Sequence, residues 1–389
     1  MRMKWLSSAL VMIVAILFAT PTQGATTASV DIDLTPYGFK AVSHKDVIGG
    51  IFSRPQCLFL DTDHVVVVAK RRLPIQGLVK RDEPNSGRVH YVGVLINLRA
   101  GKVVNIIDLG GADYYGDGEV LDDGTLIFYR HGLVDFWRLV DGELLQRKLT
   151  VPIDVSEIDA ALKAKSQFER FGLYPSHSHK VLYLSLDASI SGVTQLWTIT
   201  TDGVRPFGRQ ISPLFLGETV ESDNSVIALR RFDECRFFAV PNEADKPIRE
   251  IYHGDSCQHL YAPSFIGPGE LVIGSTIKGQ PAEFRMTDGS LAPSLSGRIS
   301  GNVTAAWNGS AYMALELRSS GGSEFFDISS HISEAIVHVY DHDWHEIYGL
   351  EIPIRGADFS GPFLSPTGTR IVEYNSGHFY SWNVRTVAG

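Results

Sequence analysis

The sequence predicts an all-β chain in which one antiparallel meander recurs around an axis. Three observations carry that prediction. Residues 359–384 read as three short strands, with turns at Ser365-Pro366-Thr367-Gly368 and Asn375-Ser376-Gly377. The same grammar recurs upstream, with first-to-second-strand turns near residues 62, 123, 178, 223, 269, 308 and 367. No linker-like shift in composition divides the 389 residues, which argues against a pair of β-sandwich domains. The fold expected is a seven-bladed β-propeller of antiparallel meander blades with one short inserted helix, a single domain over residues 25–389. Closure is the physical reason. An isolated four-stranded sheet has two bare edges and two uncovered faces, and copies stacked around an axis bury the faces and leave only short edges.

Taken in order, the chain opens with a processing signal. Arg2 and Lys4 precede an apolar run over residues 6–18, followed by Thr20, Pro21, Thr22, Gln23 and Gly24. The run is shorter than the about twenty residues a membrane helix needs, so residues 1–24 read as a secretory signal peptide cleaved before Ala25. A retained N-terminal anchor is the alternative. The mature chain then carries no transmembrane domain and is secreted or periplasmic.

Residues 35–50 are the candidate strand that completes the C-terminal blade. Residues 58–69 give strand, turn and strand, with the run Val65 to Val68 expected of a strand covered on both faces. Residues 70–88 form an insertion rich in Lys, Arg, Pro and Gly. Strands follow over 91–98 and 103–109, and a second unit spans 118–149. Residues 151–172 break the rhythm with a short helix, for which Ser156 is the candidate N-cap. Later units cover 181–200, 215–252, 261–291 and 303–352.

The run Phe363 to Gly368 with Trp382-Asn383-Val384 resembles the strand-turn-strand pattern of WD-repeat and related secreted bacterial β-propeller blades of unknown function. Residues 59–68 with 94–104, and 335–347, resemble blades of the same kind. The Gly-His and Trp-Asp dipeptides of well-conforming WD repeats are missing. The resemblance implies a scaffold and no assigned chemistry.

The net charge of -9 argues against nucleic acid as a partner. There is no Gly-x-Ser-x-Gly elbow, phosphate loop or His-Glu-x-x-His helix. The sequence points to no catalytic residue, no metal ligand and no cofactor. His342 and His345 in Asp-His-Asp-Trp-His-Glu read as a polar hairpin turn. Residues 253–259 read as a connection between blades, His177-Ser178-His179 as a solvated turn, and Asp113, Asp117, Glu119, Asp122 and Asp123 as turn-forming residues among glycines. Trp137, Trp197, Trp307 and Trp382 read as blade packing. In an exported chain a disulfide between Cys235 and Cys257 is allowed, with Cys57 a buried free thiol. The basic insertion is the candidate recognition loop, through Arg71, Arg72, Lys80 and Arg81. The function expected is a monomeric binding or scaffolding module for an envelope or secreted protein or an anionic polysaccharide. The alternative is a metal-assisted hydrolase or lyase with its site at the central channel.

Overall fold

The structure is a computed structural model that describes residues 27–39, 55–72, 89–112, 116–130, 132–165, 170–188, 193–208, 215–220, 225–230, 235–254, 260, 264–267, 269–274, 282–286, 288–290, 299–319, 332–355 and 359–384. In chain order, β1 is Val30–Asp33. The first sheet is β2 (Gln56–Phe59), β3 (His64–Arg72), β4 (Val89–Asn97) and β5 (Lys102–Ala112). The second is β6 (Gly116–Val120), β7 (Leu126–Arg130), β8 (Leu133–Val140) and β9 (Leu144–Pro152), followed by helix α1 (Ser156–Lys165). The third is β10 (Arg170–Pro175), β11 (Leu182–Ala188), β12 (Val193–Thr200) and β13 (Gly203–Pro206). The fourth is β14 (Phe215–Val220), β15 (Ser225–Arg230), β16 (Cys235–Pro241) and β17 (Arg249–Gly254). The fifth is β18 (Ser264–Gly267), β19 (Glu270–Ile273) and β20 (Glu283–Met286). The sixth is β21 (Asn302–Ala305), β22 (Ala311–Ser319), β23 (Ile332–Asp341) and β24 (Glu346–Pro353). The seventh is β25 (Ser360–Leu364), β26 (Arg370–Asn375) and β27 (His378–Asn383), which β1 completes in the order β1-β27-β26-β25.

Every sheet is an antiparallel meander, and the first strand of each lies innermost. Packing between neighbours is apolar all the way round. Leu58 and Leu109 meet Val120 and Phe128 between the first and second sheets. Ile127 and Phe136 meet Leu184 and Trp197, under Ile158 of α1, between the second and third. Phe237 meets Phe265 between the fourth and fifth, and Phe284 meets Val303 between the fifth and sixth. Val337 and Leu350 meet Ile371 and Trp382 between the sixth and seventh. Val372 and Phe379 meet Phe59 and Val65 where the ring closes on the first. The chain is therefore an all-β propeller with one helix. Six sheets are complete four-stranded blades. The fifth has three strands among the described residues, and residues 291–298, which follow it in sequence, lie outside the described residues.

The ring closes through the N-terminal segment, with different residues from those expected. Val30 to Asp33 pair with Ser381 to His378. The strand stops where the Asp33 carboxylate accepts hydrogen bonds from the Thr35 backbone N–H (2.8 Å) and hydroxyl (2.6 Å). Pro36 then favours the short 3-10 turn Thr35–Tyr37 that follows. Residues 40–50, also expected in the closing strand, lie outside the described residues, as does the expected signal peptide over residues 1–24.

All seven turn positions read from the sequence fall between the first and second strands of a sheet. The last one shows why. Ser365 Oγ accepts hydrogen bonds from the Thr369 and Arg370 N–H groups. Gly368 has φ +71°, and a Cβ there would lie 2.6 Å from the Ala311 Cβ of the sixth sheet. The helix begins slightly differently from expectation. Ser156 is the first helical residue and donates its N–H to the Asp154 carboxylate at 2.9 Å, and hydrogen bonding from its side chain and backbone holds Asp154 below the usual carboxylate range.

Candidate functional site

Arg71 and Arg72 end β3 in register with His90 and Val89 of β4. The expected insertion over 70–88 therefore starts later than expected: Lys70 to Arg72 belong to the strand. Lys80 and Arg81 lie outside the described residues. In a meander, second-to-third-strand connections share one end of the ring with the connections between sheets, and the seven first turns occupy the other. Arg130, which ends β7 at the same end as Arg72, forms a buried ion pair with Asp135 at 2.8 Å. The Asp135 carboxylate is fully enclosed and also accepts from the Thr150 hydroxyl. This pairing ties three strands of the second sheet together.

The central channel holds polar residues that the sequence had assigned to turns. Asp117 and Glu119 stand two apart in β6, on one face of an innermost strand. The Asp117 carboxylate accepts from the Gln56 side-chain amide of β2, from the Leu173 N–H of β10 at 3.1 Å and from the Gly118 N–H at 3.0 Å. It thus joins the inner strands of three consecutive sheets. Innermost strands have a free hydrogen-bonding edge, and a carboxylate satisfies donors that would otherwise face the channel. Burial pushes the Asp117 carboxyl up, and the Gln56, Leu173 and Gly118 bonds oppose it.

At the turn end, His179 and Trp307 close the channel. These side chains belong to the first turns of the third and sixth sheets, which are not neighbours. Their rings stack at 3.9 Å with a 21° interplanar angle. Trp307 also packs against the first–second and seventh–first seams, so it crosses the axis. His179 Nδ1 lies 2.8 Å from the Val120 carbonyl. A carbonyl only accepts, so Nδ1 carries the proton. Burial pushes the imidazole down to about 4, against the Val120 bond, so it is neutral near pH 7. Glu119 lies 3.9 Å from Nδ1. Phe363 of the inner strand β25 stays 38% exposed, an aromatic surface left on the ring's inner edge.

The structure thus separates the four tryptophans. Trp137, Trp197 and Trp382 pack in seams as expected, whereas Trp307 spans the channel. The period-two spacing of Asp117 and Glu119, and the equivalent turn positions of His179 and Trp307, were the available signals.

In the turn after β23, Asp341, Asp343 and His345 offer ligand atoms within 4.8 Å of one another, the one such group among the described residues. These three could hold a cation. However, Asp341 Oδ1 already accepts from the N–H groups of His345 (2.9 Å) and Asp343 (3.0 Å), which pulls its carboxyl below the ordinary range. Trp344 leaves this turn to stack on Tyr312 at 4.1 Å. Cys57 is a buried free thiol and Cys235 is disulfide-bonded, while Cys257 lies outside the described residues.

No family model matches the chain, and no curated protein does. Among solved structures, it is similar to Kuenenia stuttgartiensis hydrazine synthase (11% identity, TM-score 0.46, covering 81% of this chain and 100% of that one). Saccharomyces cerevisiae Sqt1 aligns at 9% identity and TM-score 0.46, over 93% of this chain and 100% of that one. An oligogalacturonate lyase in complex with manganese aligns at 12% identity and TM-score 0.44, over 86% and 97%. No helix among the described residues is long and apolar enough to cross a membrane.

Proposed function

We propose that the chain is an exported seven-bladed β-propeller, with the three-stranded fifth sheet as its remaining blade. In this reading it is a binding module that takes an anionic partner at the end of the ring where β3 passes to β4. The observation that carries the reading is the commitment of the channel groups to one another. Asp117 is engaged by three donors, and His179 is neutral, bonded to a carbonyl and stacked beneath Trp307. That arrangement supports a scaffold better than a reacting centre. Arg71, Arg72, Lys80 and Arg81 supply a local cationic set in a chain of net charge -9. Their partner is an acidic envelope or secreted protein or an anionic polysaccharide. Export is supported by the apolar leader and by the disulfide at Cys235.

The test is capture from the envelope and secreted fraction with the chain from Ala25. A parallel bait has all four cations changed to Glu. A partner held by the first bait and lost by the second supports the reading, and a partner retained by both moves the site elsewhere. A channel enzyme is the second reading, favoured by the convergence of Gln56, Asp117, Glu119 and His179 from three consecutive sheets. Turnover of any substrate that is lost in Asp117→Asn, with capture unchanged, would establish it.

A further inference from the structure

Glu373 lies in the middle of β26, the second strand of the seventh sheet. It is only 1% exposed, and its Oε2 has no hydrogen-bond partner among the described residues. The faces of β26 are assigned by its neighbours. Ile371 packs in the sixth–seventh seam, and Val372 and Tyr374 pack in the seventh–first seam. Strand alternation therefore turns Glu373 toward the sixth sheet. The wall that sheet presents is Leu315, Ala335, Val337 and Ile352. Gly361 of β25 backs onto Glu373: a Cβ there would lie 3.1 Å from the Glu373 Cβ, so only glycine lets the two strands sit this close.

The polar groups around Glu373 are few. Tyr380 stands opposite it in the β26–β27 register, and Tyr348 lines the seam from β24. His378, two residues from Tyr380, is paired with Asp31 at 3.0 Å. Asn375, two residues on, is a tie between sheets. Its Nδ2 donates to the Pro353 carbonyl at 2.9 Å, and its Oδ1 accepts from the Arg355 N–H at 3.2 Å. Arg355 is the cation nearest in effect, but its residue is exposed. Cys57, across β26 in the next seam, is a thiol that burial and the Glu373 charge push up.

A carboxylate against an aliphatic wall, with one oxygen unbonded and no buried cation among the described residues around it, is costly, whereas the neutral acid is not. We propose that the sixth–seventh seam is a proton-dependent latch, shut while Glu373 is a neutral acid and loosened when it ionises. Burial pushes Glu373 up to about 8, against Asn375 and Arg355. Its folded value lies above the ordinary carboxylate value. Its contribution is therefore complete below the ordinary range and is lost as pH rises through about 8. The device concerns the packing of the seventh sheet on the sixth and stands whether the module binds at the basic end or in the channel.

The experiment is amide hydrogen exchange of the full mature chain at about pH 6 and about pH 9, corrected for intrinsic rates, in wild type, Glu373→Gln and Glu373→Leu. The second–third seam serves as the internal control. Wild type is expected to lose protection in β22, β23, β26 and β27 at the higher pH, by about tenfold or more relative to the second–third seam. Both variants are expected to keep that protection, and the Leu variant carries the test should the Gln variant not fold. Equal protection at both pH values in wild type, or an equal loss in a folded variant, would overturn the proposal. So would a Glu373 carboxyl titration, followed by carbon-13 NMR, with its midpoint in the ordinary carboxylate range.

Discussion

At residue 117 one carboxylate satisfies donors from three inner strands. Replacing it with Ala leaves the Leu173 N–H without its acceptor and the Gly118 N–H with only the longer bond to Gln56 Oε1 at 3.3 Å. Asp117→Ala is expected to destabilise by about 2–4 kcal/mol in urea unfolding, and Asp117→Asn by less, since an amide oxygen still accepts. His179 makes a prediction about acid. Its folded value is depressed, so the stability it contributes is present above the ordinary histidine range and is lost as pH falls through about 4. His179→Phe keeps a ring against Trp307 and removes the proton site. Its melting temperature is expected to fall less steeply than that of wild type between about pH 6.5 and pH 4, and an unchanged slope would count against the assignment. Neither residue was legible as a site in the sequence. Asp and His beside Gly and Ser carry the statistics of turns, and only the ring brings residues 117, 179 and 307 together.

At the scale of elements, the strands and their turns were largely readable, because alternation and Asp-Gly or Asn-Gly dipeptides are local signals. Edges were less so. Lys70 to Arg72 look like loop residues by charge, yet they continue β3 because β4 offers them a full register. The β character of residues 35–50 points to a closing strand there, while β1 is the earlier and shorter Val-Asp-Ile-Asp. Four residues hold little pattern, and their partner strand lies at the far end of the chain. Leu34, which follows β1, is fully buried against the seventh–first seam and donates its N–H to the Gly377 carbonyl at 2.8 Å. Leu34→Ala is expected to cost about 3 kcal/mol in equilibrium unfolding, a core-sized loss from a residue outside every strand.

For the whole molecule, recurring turns announced the ring, and apolar seams between sheets make it. Capture is where the molecular reading is exposed to failure. Reversing Arg71, Arg72, Lys80 and Arg81 to Glu is expected to weaken partner binding by at least about tenfold in a titration, and more strongly at low salt. Two oppositely signed titrations also act on this body, one at the His179–Trp307 stack and one at Glu373. Together they place its most stable condition between the ordinary carboxylate and histidine values, 4.5 and 6.5, where the gain at His179 offsets the loss at Glu373 as pH rises.

The pairing of β1 with β27 has a temporal consequence. A chain made from its N-terminus forward presents β1 long before β27 exists, so this strand must wait without its ladder. Unpaired strands recruit strangers, and inserted charges discourage that. Asp31 and Asp33 put two carboxylates into four residues. Once the ring shuts, Asp31 meets His378 and Asp33 caps the Thr35 turn. The groups that keep the waiting strand solitary then become part of the clasp.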